Sequence, residues 1–516
     1  MERAASYRQI EIDTRHVDVL DGIRALSIGL IFWFHLWQQS WLMPYWHTPQ
    51  WLVSLGLPGV ISFDFMPRSG FLFVDMMLLI SAFCLFLPHA RAVFYGEPVP
   101  SATQFYKKRL VRIVPPYYLS VLLIFLFVAL PSGAYASARE MRVDLLSTLA
   151  FTQTFVPGVL LSTKLNGVLW TAAIEMQFYL LFPLLAKCFR KQPVLTYIGM
   201  AAVSMAYLHL FALGDTDRLR VTLNQLPGFF GVFANGMLAA YAFVWLTTRT
   251  GRKKWIAALS TAVALLCLYW ISCMQKAAPS VSPVQVWQAS NRHMLSVAFA
   301  LLVLSSALAA RWFRFLLSNR VMAFFAAISY NVYIWHQWLA VQFKQWRIPY
   351  WSGEQAPNFT GDKVWQWEYT LAVIGATLLA ATLFTYLFER PVARRLLALK
   401  GPARCNQPAM QNNSIVTIRK DPTVTEEEKN PDMHYEFTPK GVCSTKITFD
   451  LTGDGKLSNV AFTGGCDGNL KAIGKLVEGE DAKQIASTLR GNACDGADTS
   501  CADQLARAIE EAVSQK

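Results

Sequence analysis

Over the first 400 residues, long apolar runs alternate with short polar stretches. A helix needs roughly 20 apolar residues to cross a bilayer core. Runs of that kind fall near 20–40, 70–88, 115–131, 167–187, 194–213, 226–246, 255–274, 294–311, 321–342 and 367–388, which predicts about ten transmembrane helices. The segment 143–157, VDLLSTLAFTQTFVP, is shorter and more polar and reads as an interfacial or re-entrant helix. After residue 400 the pattern changes. Residues 401–432 are polar with scattered prolines and read as a linker. From Met433 the runs KITFDL and KLSNVAF flank Thr452-Gly453-Asp454-Gly455, a hairpin signal. Helical spacing follows in 469–490 and 502–514. The expected fold class is an all-α polytopic membrane protein over residues 1–400, with a small α+β domain at 433–516.

Composition agrees with the pattern. Charged residues make up 16% of the chain and hydrophobic ones 54%, against about 25% charged in a soluble protein. The net charge is +13, yet residues 432–516 hold nine Lys and Arg against thirteen Asp and Glu. The positive charge therefore lies between the apolar runs. That placement points to membrane topology and anionic lipid, and argues against a nucleic-acid partner. Clusters such as Lys107, Lys108, Arg109 and Arg112, or Arg249, Arg252, Lys253 and Lys254, fall on alternate loops. The positive-inside rule makes those loops cytoplasmic, and with them both termini and the C-terminal domain. The N-terminus is polar to Asp18, and no signal peptide is expected there.

Ionisable residues inside spans are costly, so each is a candidate for function. The first span carries Arg24 and, eleven residues on, His35. That spacing is almost a whole number of turns and sets them roughly 16 Å apart on one face. Snorkelling of Arg24 and interfacial placement of His35 would explain one such pair. Further spans add Asp75 and Ser81, then Thr171, Glu175 and Tyr179 at i, i+4 and i+8, and then Ser329, Tyr333 and His336 at i, i+4 and i+7. By the assigned directions His35, Asp75, Glu175 and His336 share the middle or outer half of the membrane, which predicts one polar cavity. Arg109 and Arg112 lie one turn apart at the cytoplasmic side, level with Arg24. Two arginines on one face suit a bidentate phosphate clamp.

These segments resemble acyltransferase family 3, the ten-span bacterial membrane acyltransferases. LDGIRALS followed by His35 is similar to the family's Arg/Lys-x10-His signature. FYKKRLVRIVPPYYL resembles its R-x-x-R stretch, and LWTAAIEMQFYLLFP its W-S-L-x-x-E-x-x-F-Y-x-x-x-P block, which includes Trp170. ISYNVYIWH and FERPVARR resemble its late motifs. VDMMLLISAF departs from V-D-x-F-F-x-x-S-G-F, with Ala82 in place of the glycine, and Thr171 replaces the serine after Trp170.

The resemblance implies an enzyme of the bacterial inner membrane that moves an acyl group, acetyl above all, from cytoplasmic acyl-CoA to a hydroxyl of a glycan or other envelope acceptor. It implies CoA phosphates near Arg24, Arg109 and Arg112. His35 becomes the general base or transient acyl carrier, because an imidazole accepts a proton at neutral pH. Glu175 would orient or protonate partners and Arg24 would join it and His35 in the catalytic set, while Asp75, Ser81, Trp170, Tyr333 and His336 would line the substrate cavity, Asp75 and His336 on its acceptor side.

The terminal domain holds Cys443, Cys466, Cys494 and Cys501. Reduced thiols in a cytoplasmic domain are either buried core groups or Zn²⁺ ligands, and the absence of a C-x-x-C pair makes zinc the lesser reading. GVCSTKITFD, GGCDGNL and CDGADTSCADQLARAI resemble the TSCPD domain, with Ala502 in place of its proline. Two other functions fit intramembrane charge: a transporter or flippase of an envelope precursor, and a membrane scaffold acting through the tail. Transporters tend to show repeat symmetry or matching broken helices, and neither is visible in this chain.

Overall fold

A computed structural model describes residues 17–212, 216–250, 253–398, 433–439, 441–442, 444–465, 467–494 and 499–514. The expected linker 401–432 lies outside them, as do Cys443 and Cys466. The chain divides into two compact units, 1–401 and 402–516.

The first unit is a helical bundle. Its long helices are α1 (Val19–Ser40), α2 (Phe73–Phe94), α3 (Ala102–Ile124), α4 (Trp170–Lys191) and α5 (Pro193–Phe211). They continue with α6 (Leu226–Thr250), α7 (Lys254–Ala277), α8 (Val284–Leu308), α9 (Arg320–Gln345) and α10 (Lys363–Leu383). Among the described residues nine helices are long and apolar enough to cross a membrane. A tenth span forms if Arg311–Leu317 and α9 are taken together across a 40° bend. The apolar runs thus became helices where expected, because in a bilayer each backbone polar group has to be satisfied within its own segment.

Two boundaries differ from expectation. The third helix begins at Ala102, well before the apolar run at 115. The eighth begins at Val284, not 294, so Arg292 sits more than two turns inside it. Gln285, Gln288 and Arg292 lower the hydropathy of that stretch, yet they face cavity or core rather than lipid. The segment expected to be re-entrant forms the helix Ala138–Leu149, a 3₁₀ turn at Gln153–Phe155 and the helix Pro157–Ser162, none long enough to span. Buried Asp144 pins this excursion by accepting from Thr163 Oγ1 (2.7 Å), the Lys164 N–H (2.9 Å) and the Tyr135 hydroxyl (3.1 Å).

α2 runs through the middle of the bundle, with Met76, Leu79, Ile80, Ala82, Phe83 and Phe86 fully buried. It packs closely on α6 at Gly236, where an added Cβ would lie 2.3 Å from the Leu79 carbonyl oxygen and 2.8 Å from Ala82 Cβ. The family's glycine at 82 is an alanine in this chain, and the glycine on the facing helix gives its methyl room.

The second unit has a three-stranded antiparallel sheet in the order β1 (Met433–Phe437), β2 (Ser444–Leu451), β3 (Leu457–Gly464). The predicted hairpin joins β2 to β3, with Gly455 at φ +85° in its turn. The helices are α11 (Asp467–Val477), α12 (Ala482–Leu489) and α13 (Cys501–Ser514). Gly479, at φ +79°, breaks what the spacing had joined into one helix. Ile447, Phe449, Leu505 and Ile509 form the core between sheet and helices.

Candidate active site

Among the described residues, the polar groups expected from the sequence line two cavities of the bundle. One of about 780 Å³ is lined by His35, Gln38, Arg68, Asp75 and Trp170. The other, about 330 Å³, is lined by Arg24, Ser81, Arg109, Arg112, Glu175 and Tyr179. Val74 and Tyr333 line both. The cavities are therefore stacked along one side of α1, the smaller at its N-terminal end and the larger toward its C-terminal end.

His35 Nδ1 lies 2.9 Å from Gln38 Oε1, one turn along α1. With that oxygen accepting, Nδ1 carries the proton and Nε2 keeps its lone pair. The ring of His336 is 5.0 Å away, centroid to centroid. His336 is completely buried and lines neither cavity. Its Nδ1 hydrogen-bonds to the carbonyls of Tyr333 (2.7 Å) and Val332 (3.1 Å), which fixes Nε2 as the acceptor.

In the smaller cavity Glu175 Oε1 accepts from the Ser81 hydroxyl at 2.5 Å and from the Tyr179 hydroxyl. The Arg109 guanidinium lies 5.9 Å from the centre of the Tyr179 ring. Arg24 pairs with Asp21 (3.6 Å) and reaches Cys84 Sγ at 3.8 Å. Three arginines thus line one cavity together with the carboxylates of Asp21 and Glu175.

The single polar cavity expected from the sequence is thus two. Glu175 and Ser81 do not share a space with His35; they belong with the arginines. The reason lies in where α4 starts. Trp170, its first residue, lines the His35 cavity, so the helix begins level with His35. Glu175 is five residues further, roughly 7.5 Å toward the Arg24 end. Ser81 follows Asp75 by six residues in the same direction on α2. His336, expected in the cavity wall, stands behind His35 instead.

Asp75 does line the His35 cavity, but as half of a buried ion pair. Arg292 Nε donates to Asp75 Oδ2 at 3.2 Å, and both side chains are 1% exposed. Arg292 also donates to the Leu223 carbonyl (2.8 Å) and lies 4.2 Å from the centre of the Phe229 ring. Sequence reasoning missed Arg292 because it set the start of the eighth span two residues beyond it. An arginine preceded by two turns of polar but unbroken helix-forming sequence was the signal available. Tyr333 donates to the Val168 carbonyl (3.1 Å) and accepts from Thr171 (2.8 Å), so one of the two residues common to both cavities is held by the start of α4 and the turn before it.

This arrangement of arginine, histidine and carboxylate lies within the stretch that decides the family. Residues 17–386 match the model of the acyltransferase domain family. The chain belongs to that family and is an acyltransferase. Residues 419–513 match the TSCPD domain. Among curated proteins, the chain is similar to the acetyltransferase-designated ORF330 of Acidianus two-tailed virus, 23% identical over 52% of this chain and 73% of that one. It is also similar to the peptidoglycan O-acetyltransferase OatA of Listeria monocytogenes, 20% identical over 65% of this chain and half of the relative. An uncharacterized protein of Haemophilus influenzae is 34% identical over 19% of this chain and 45% of its own. No solved structure matches.

In the tail, Thr499-Ser500-Cys501-Ala502-Asp503 forms the start of α13. Ser500 Oγ accepts from the Asp503 N–H (3.1 Å), and Asp503 accepts from the Gly491 N–H (2.7 Å), Thr499 (2.6 Å) and Arg507 (2.9 Å). Burial alone would raise the Asp503 carboxyl, but these donors hold it down at about 2. Cys501 Sγ accepts from Ser444 at 3.2 Å, and Cys494 is exposed. Among the described residues no three His, Cys, Asp or Glu side chains converge on a metal-sized site.

Proposed function

We propose that this acyltransferase moves an acetyl group from acyl-CoA, held at the Arg24 cavity, to a hydroxyl of a glycan-type envelope acceptor in the His35 cavity. The observation that carries the reading is the stacking of an arginine-lined cavity and a histidine-lined one, sharing Val74 and Tyr333. Arg24, Arg109 and Arg112 suit the phosphates of CoA. At about 330 Å³ the cavity is at the low end for a small-ligand pocket. It suits the pantetheine thioester arm, with the nucleotide at the mouth. Trp37, Gln38 and Trp170 give the larger cavity the mix of aromatic and polar surface that a sugar needs.

In this mechanism His35 Nε2 takes the proton from the acceptor hydroxyl as its oxygen attacks the thioester carbonyl. The tetrahedral intermediate collapses, the C–S bond breaks, and the CoA thiolate takes the proton back from the imidazolium. The arginine-rich loops would face the cytoplasm of a bacterial inner membrane, with both termini on that side. The names of the two acetyltransferase relatives support acetyl as the group moved.

The test is transfer of label. Membranes holding the protein are given radiolabelled acetyl-CoA, and label in the glycan and lipid-glycan fractions is measured. Loss of a general base costs roughly 10²–10⁴-fold, so His35→Ala should fall to background. Equal transfer by wild type and His35→Ala removes the assignment, and counterflow of glycan without acylation favours a transporter.

A further inference from the structure

Val74 and Tyr333 are common to both cavities, and each stands beside an anchored group. Val74 is the second residue of α2 and immediately precedes Asp75, which the Arg292 ion pair anchors in the core. Tyr333 is fixed through its hydroxyl by Thr171 and the Val168 carbonyl. On one side of this pair lie Glu175 and the arginines, on the other His35. A thioester entering from the arginine side has to bring its acyl carbon past Val74 and Tyr333 before His35 can serve it.

We infer that Val74 and Tyr333 form a rigid constriction that sets the length of acyl chain this enzyme transfers. The inference rests on the proposed direction of transfer, from the Arg24 cavity to the His35 cavity. A loose wall would yield to a longer chain at little cost. A wall in which Tyr333 is pinned by two hydrogen bonds and Val74 stands on the helix turn that the buried Asp75–Arg292 pair anchors yields poorly, because packed interiors resist added methylenes. The acetyl group passes with its methyl between the isopropyl group and the ring. A butyryl group carries two more methylenes into the same gap. Thr171, which also lines the smaller cavity, takes part through its hydroxyl, so the threonine that replaces the family's serine keeps the anchor.

The experiment uses membranes holding the full chain and compares labelled acetyl-CoA with labelled butyryl-CoA. The readout is the ratio of butyryl to acetyl transferred. Discrimination of one methylene in an apolar pocket runs to about 10–200-fold. Val74→Ala should therefore raise the butyryl-to-acetyl ratio at least about tenfold. Tyr333→Phe, which keeps the ring and loses both hydrogen bonds, should raise it less. Val74→Phe should depress transfer of both groups. Each variant is purified in detergent, and its unfolding temperature shows that it is folded. A folded Val74→Ala with the wild-type ratio, or a folded Val74→Phe that transfers acetyl at the wild-type rate, overturns the constriction. Wild type that transfers neither group overturns the proposed function beneath it, which the wild-type arm shows separately.

Discussion

The residues that matter most are polar groups whose partners come from other helices. Asp75 and Arg292 are separated by more than two hundred positions and meet in the core. Removing one charge leaves the other buried and unpaired, a loss of about 3–5 kcal/mol. Asp75→Ala should therefore lower the unfolding temperature of detergent-purified protein markedly. The joint replacement Asp75→Leu with Arg292→Met should recover most of the loss, because apolar pairs of similar volume replace buried ion pairs well. A single and a double variant of equal stability would refute this account. In the tail, Asp503 sits at about 2 against its ordinary 3.8. Its folded value is depressed, so its contribution to stability is complete above about pH 4 and fades as pH falls toward 2. Asp503→Asn should abolish that acid dependence, read as amide protection of α13 by hydrogen exchange in the full chain. The Arg24–His35 spacing was legible in the sequence because both lie on one helix. Arg292 was not, because its pairing is a fact of packing between α2 and α8.

Elements were the most legible level. Apolar length set the positions of the spans, since hydrocarbon leaves a backbone no other solution. Their ends were less legible where polar side chains faced a cavity, as in the first turns of α8. Their depth was least legible. The start of α4 depends on the short helices between 138 and 162, which return the chain to Trp170 inside the bundle. That is why Glu175 fell into the wrong cavity. Contact between elements was hidden as well. Gly236 looks unremarkable in sequence, yet a Cβ there meets the backbone of α2. Gly236→Ala should cost about 1–3 kcal/mol through overpacking, seen as a lower unfolding temperature. The pair Gly236→Ala with Ala82→Gly should relieve part of it, since one of the two clashing methyl groups is gone.

At the scale of the molecule, the chain joins an acyltransferase unit to a TSCPD domain. All residues of both cavities fall between Val17 and Gln337, inside the first unit. A chain ending at residue 401 should therefore keep acetyl transfer within about twofold, as expected of domains that fold separately. Loss of transfer in a truncated but folded chain would show that the tail takes part in the reaction. By itself the sequence determined a multi-span helical membrane protein, its family and the presence of a distinct C-terminal domain. Those follow from local composition and from motifs written in consecutive residues. Only the tertiary structure decided which charges share a space. It divided one expected cavity into two, gave Glu175 to the arginines, tied Asp75 to Arg292, and placed Val74 and Tyr333 in the lining of both cavities. The reason is physical: hydropathy and periodicity fix a helix and its faces, while the depth at which it begins and the neighbour it meets come from packing among all the helices.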